Sequence, residues 1–70
     1  MESLFILRLI ETDKYISYLD SKHPEDLYLS QLSVEAERFS EFELDMLSTW
    51  LPKFINDKYH TDLEIVRVFK

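Results

Sequence analysis

The pattern of apolar and polar positions changes period along this chain. From Ser3 to Glu11 (SLFILRLIE) the residues are mostly branched or aromatic, and the run is too short for a typical helix. It reads as a strand. Alternation puts Phe5, Leu7 and Leu9 on one face and Leu4, Ile6, Arg8 and Ile10 on the other. Both faces are largely apolar, which predicts a central strand. A second run, Lys14 to Leu19 (KYISYL), follows closely, so the two read as a hairpin turning around Thr12 and Asp13. That turn has no glycine, and neither has the rest of the chain. The easiest residue for positive φ is therefore missing.

Asp20 to Ser33 (DSKHPEDLYLSQLS) has no clear period. Pro24 pushes His23 toward an extended backbone. Leu27, Leu29 and Leu32 mark either a short strand or a pinned loop. Ser33 reads as the N-cap of one helical turn in VEAER. The main helix begins at Ser40. Ser40 and Glu43 form an S-x-x-E capping box, with Phe39 placed to staple onto Leu44. Leu44, Leu47, Leu51, Phe54 and Ile55 then recur at helical spacing, while Glu41, Asp45, Ser48 and Thr49 fall opposite. Pro52 interrupts this stripe without changing its phase. A kink or a restart is expected there, with the helix ending between Asn56 and Tyr59. Asp62 to Lys70 (DLEIVRVFK) reads as a closing strand.

The order strand, strand, irregular segment, helix, strand predicts an α+β fold in a single domain over residues 1–70. It would be a small three- or four-stranded, mainly antiparallel sheet with one main helix packed on one face (ββ-x-αβ). The helix covers only one sheet face. The other face of the first strand is then left for the Asp20 to Ser33 segment or for another chain.

Composition narrows the function. With 46% hydrophobic and 14% aromatic residues, intrinsic disorder is not expected. There are no cysteines, hence no disulfides and no thiolate metal cluster. Glu2 stands where a signal peptide would be basic, and Arg8 breaks the apolar run. No run is long enough for a membrane span. A cytoplasmic protein is expected, with no membrane partner. The net charge of −6 repels a phosphate backbone, so direct nucleic-acid binding is disfavoured.

Candidate chemistry is sparse. His23 lies near Glu25 and Asp26, and His60 near Asp62, so either imidazole could be oriented by a carboxylate. No HExxH pair or Cys/His grid exists, and a chain without glycine has no phosphate-cradling loop. No catalytic residue, metal or cofactor is expected. Binding features are richer. Glu35, Glu37, Glu41, Glu43 and Asp45 face a single base, Arg38, between residues 35 and 45. They read either as a solvated, dipole-favoured helix start or as an acidic rim in which carboxylates stand in for phosphates. Trp50, at the edge of the apolar stripe, is either core or interface anchor. Tyr15, Tyr18 and Tyr28 are half-buried strand residues or an extension of such a patch.

In EAERFSEFELDMLSTWL, after a hairpin and before a strand, Ala36, Phe39, Ser40 and Glu43 match an A-x-x-F-S-x-x-E pattern. In this the chain resembles small acidic phage-encoded ββαβ-type proteins. It departs from them in lacking a Gly or Asn hairpin turn and in carrying Pro52. The resemblance implies a class of acidic, single-domain proteins, some of which bind and inhibit host enzymes such as RNA polymerase, restriction nucleases or CRISPR effectors. The expectation is a non-enzymatic binding module acting on a host nucleic-acid-handling protein. Glu35, Glu37, Glu41 and Asp45 would supply charge and Trp50 the anchor. A homo-oligomeric structural or assembly protein, a homodimer included, is the alternative.

Overall fold

The computed structural model describes residues 3–68. Met1, Glu2, Phe69 and Lys70 lie outside them, so the readings that fall on Glu2 and on the end of the closing strand lie outside them too. The first strand, β1 (Leu4–Leu9), is central as its two-sided pattern requires. Along one side it pairs antiparallel with β5 (Leu63–Val68), in register from Leu4↔Val68 to Leu9↔Leu63. Its other side is shared. β2 (Lys14–Tyr18) takes one end through Arg8↔Tyr15 and Leu9↔Lys14. β4 (Phe39–Ser40) takes the other through Leu4↔Ser40 and Phe5↔Phe39. The Glu37 amide donates to the Ile16 carbonyl at 2.9 Å, joining the approach to β4 onto β2. β3 (Tyr28–Ser30) adds an outer strand to β2.

The sheet therefore has five strands rather than three or four. The fold is α+β as expected; β3 is the short strand left open for Asp20 to Ser33, and β4 is the added one, a two-residue segment whose pairing with β1 is non-local. Asp20 to Ser33 extends the sheet through β3. Its Leu27 is buried in the main core and Leu29 packs against it. Ser33 is not an N-cap. It is the first residue of a 3-10 turn over Ser33–Glu35, with Leu32 in the cap position and no side-chain cap bond.

The hairpin turns without glycine because Asp13 takes φ 56°. Asp tolerates this left-handed region better than most residues. Its amide donates to the Leu9 carbonyl at 2.9 Å. The Arg8 guanidinium holds the turn by pairing with Asp13 and, at 2.7 Å, with Glu64 on β5.

The helix is divided into α1 (Glu41–Leu47) and α2 (Leu51–Tyr59). The capping box is formed: the Glu43 amide donates to Ser40 Oγ at 3.2 Å, and the Ser40 amide to Glu43 Oε1 at 2.9 Å. After two turns the hydroxyls of Ser48 and Thr49 donate to the carbonyls of Asp45 and Met46. Such side chains compete with the helical ladder. Trp50 then leaves helical geometry (φ −142°, ψ −28°). Pro52 falls in the first turn of α2, where its missing N–H costs nothing. Pro52 thus marks a restart. α2 stops at His60 in left-handed geometry (φ 56°, ψ 42°), whose amide donates to the Asn56 carbonyl.

Both helices cover the Leu7 and Leu9 face. Leu7, Leu9, Ile16, Leu27, Phe39, Leu47, Leu51 and Ile55 form the core, with Leu44, Trp50, Phe54 and Leu63 packed around it. By strand alternation Ile6 lies on the opposite face, and it is buried outside that cluster.

Candidate protein-binding face

At about 3.6 residues per turn, Leu44 and Leu47 share the inward side of α1. Phe42 and Met46 fall nearly opposite. Glu41 and Asp45 flank them on one side and Glu43 on the other. The accessibilities agree with this placement: Phe42 is 72% exposed and Met46 59%. Glu41, Glu43 and Asp45 are also exposed. The outer surface of α1 is thus an apolar ridge between acidic margins.

A groove runs along each flank. On the Glu43 side lies a cleft of about 480 Å³, lined among others by Leu19, Glu37, Phe39, Glu43, Met46 and Trp50. On the other side a groove of about 320 Å³ runs between the α1–α2 junction and β5, with Leu44, Leu51, Pro52 and Ile65 in its walls. Ile65 is 58% exposed. β5 pairs only with β1, so it is a sheet edge among the described residues.

The five residues expected to bind separate into three groups. Glu41 and Asp45 stand together on α1. Glu37 and Trp50 line the cleft beside it. Glu35 belongs elsewhere: it is exposed on the 3-10 turn and accepts a hydrogen bond from Ser30 Oγ on β3. Glu37 is half-buried, and its Oε1 accepts from the Leu19 amide at 2.9 Å. Desolvation holds its carboxyl above the usual carboxylate range; the Leu19 bond opposes that rise and the charge of Glu43 adds to it. Trp50 is half-buried against the core, edge-on to Phe54 with centroids 6.0 Å apart. Phe42 and Met46 were missed because they sit out of phase with the leucine stripe. Their i, i+4 spacing among acids is the signal that marks them.

The tyrosines do not join this face. Tyr18 and Tyr28 pack on each other across β2 and β3, with centroids 5.8 Å apart. His23 lies 3.5 Å from Glu25 and both are exposed. His60 terminates α2, and no hydrogen bond joins it to Asp62. Among the described residues no group of three His, Asp or Glu is arranged to hold a metal ion. Nor is any helix there long and apolar enough to cross a membrane.

Comparison with known proteins yields no family model, no curated protein and no solved structure that matches this chain.

Proposed function

We propose that this protein is a non-enzymatic binding module that docks α1 onto a basic, apolar-floored groove of another protein. The observation that carries the reading is the Phe42–Met46 ridge, exposed between Glu41, Asp45 and Glu43. Large apolar side chains grouped on an exposed surface mark contact sites. The flanking acids select a partner rimmed with Lys and Arg, and nucleic-acid-handling proteins present such grooves. The resemblance to small acidic phage proteins supports a role as an inhibitor of a host protein of that kind, acting in the cytoplasm. Complementary charge chiefly raises the association rate and makes binding sensitive to salt.

The test is a tagged pull-down from bacterial lysate, washed over a salt series. It compares the native chain with the double variants Glu41→Lys/Asp45→Lys and Phe42→Ser/Met46→Ser. All four positions are exposed, so both variants should fold. The reading expects one stoichiometric partner, released as salt rises and lost by both variants. Retention of the same partner by both at low salt would refute it.

The β5 edge favours a second reading, self-assembly. An unpaired strand offers backbone donors and acceptors to another strand, and exposed Ile65 stands beside the apolar groove. Light scattering at high concentration separates the two readings. A dimer that Ile65→Lys returns to monomer supports assembly, and a strict monomer removes it.

A further inference from the structure

The cleft beside α1 combines features that a plain acidic surface lacks. Two carboxylates, Glu37 and Glu43, line the same cavity as the indole of Trp50 and the apolar side chains of Leu19 and Met46. Each carboxylate has one oxygen held by a backbone amide, Leu19 for Glu37 and Ser40 for Glu43. These bonds fix where the groups stand. The second oxygen of each has no hydrogen-bond partner among the described residues. No lysine or arginine there forms an ion pair with either; the described ion pairs are Arg8 with Asp13 and Glu64, and His23 with Glu25. The fold therefore sets two carboxylates, Glu37 half-buried and Glu43 exposed, along one cleft with no lysine or arginine paired to them among the described residues. Burial raises the Glu37 carboxyl, and the charge of Glu43 adds a smaller part of that rise.

A cation entering the cleft relieves both carboxylates. The lining decides which kind. A bare metal ion needs more oxygen ligands than two carboxylates supply; the remaining wall is mainly apolar, with Ser21 and Thr49 as its other polar residues, and no group of three acidic or histidine ligands is arranged there among the described residues. An ammonium ion is compact and strongly hydrated. A guanidinium is planar, weakly hydrated and stacks on aromatic rings, and its fork of donors matches carboxylate geometry. Its alkyl stem would lie on Leu19 and Met46, leading out toward the α1 ridge. We propose that this cleft receives an arginine side chain of the protein that docks on α1. The source of the arginine rests on the docking reading above; the preference of the cleft for a guanidinium does not.

The test needs no partner. The intact chain is titrated by heteronuclear NMR with N-acetyl-arginine amide, and in parallel with its lysine and citrulline counterparts. Citrulline keeps the shape and loses the charge. The expected result is that the arginine probe shifts the Trp50 indole N–H and the Leu19 amide. Citrulline should bind at least about ten-fold more weakly, the scale of one charge-assisted hydrogen bond. The Glu37→Gln/Glu43→Gln variant should lose affinity by at least the same factor. It keeps an acceptor for the Leu19 and Ser40 amides, so its fold is expected to persist; the citrulline arm stands if it does not. Equal binding of citrulline, shifts that miss Trp50 and Leu19, or no shift at all would overturn the proposal. A lysine probe that binds as well as arginine would overturn the guanidinium assignment. Failure of the α1 variants in the pull-down would leave this titration readable, and a negative titration would leave the pull-down readable.

Discussion

Thr61 joins two parts of the chain that are distant in sequence, and its hydroxyl can be removed without changing the volume of the side chain. It is the buried polar residue of the described core, 2% exposed. Its Oγ1 accepts from the Glu11 amide at 2.8 Å, beyond the end of β1, and the hydroxyl lies 3.3 Å from the Asp62 carbonyl. Nearby the Ile10 amide donates to Asp62 at 3.0 Å, and Asn56 Nδ2 lies 3.4 Å from the Thr61 carbonyl. Thr61 thus fastens the hairpin turn to the link between α2 and β5. Thr61→Val keeps the shape and leaves the Glu11 amide without its acceptor. An unmet donor costs about 1–3 kcal/mol when buried, and this bond is part-buried, which places it toward the lower end. The extra methyl recovers up to about 0.8 kcal/mol of that. The net loss is therefore about 0.5–2 kcal/mol. Thr61→Ser keeps the bond and loses about 1 kcal/mol of buried methyl. A chain this short holds about 4–10 kcal/mol in all, so either change should be clear in urea melts. Amide exchange separates the causes: Glu11 should lose protection in Thr61→Val and keep it in Thr61→Ser. A Thr61→Val protein as stable as the native chain, with Glu11 still protected, would refute the reasoning.

Four further outcomes follow from the structure. Ile55 is fully buried between α2 and the sheet, so Ile55→Ala should cost about 2–5 kcal/mol in urea melts; a loss below about 1 kcal/mol would mean the helix is not seated as described. His60 holds left-handed geometry at the end of α2, so His60→Gly should stabilise by about 0.5–1 kcal/mol. Asp13→Gly should gain less, since it gives up the Arg8 contact. Glu37 has its carboxyl raised by desolvation. A raised acid contributes stability below its unfolded pKa and loses it as pH rises through the folded one. Glu37→Gln should therefore be more stable than the native chain at neutral pH, modestly because the group is half-exposed. The gap should close as pH falls through the carboxylate range, and a gap independent of pH would contradict the assignment.

What was legible in the sequence was local. The Ser40–Glu43 box, the two-sided β1, the hairpin at Asp13 and the closing strand each depend on neighbours within a few residues, and each is present. Ring geometry marked a break at Pro52 without choosing between a kink and a restart; the Ser48 and Thr49 hydroxyls and the Trp50 backbone make it a restart. Non-local features were not legible. β4 is two residues long and exists because Phe39 meets Phe5 across the sheet. The Thr61 bond spans from residue 61 to residue 11. The site was legible only in part. The charge pattern singled out Glu35 and Glu37 alike, two residues apart. It could not say that one would reach Ser30 and the other the Leu19 amide. Trp50 was correctly set at the stripe's edge, but the ridge beside it was hidden. Phe42 and Met46 were lost among residues counted as polar.

The central claim is that the outer surface of α1 meets another protein. Site-specific photo-crosslinking tests it most directly. A benzophenone side chain replaces Phe42, whose exposure makes the change tolerable. In a control it replaces Ile10, which is 44% exposed past the far end of β1. Both are irradiated in bacterial lysate and the adducts identified by mass spectrometry. The account predicts that position 42 captures one basic protein, that added salt abolishes the adduct, and that position 10 does not capture it. Adducts at position 42 only with a second copy of this chain, or the same adduct from both positions, would contradict it.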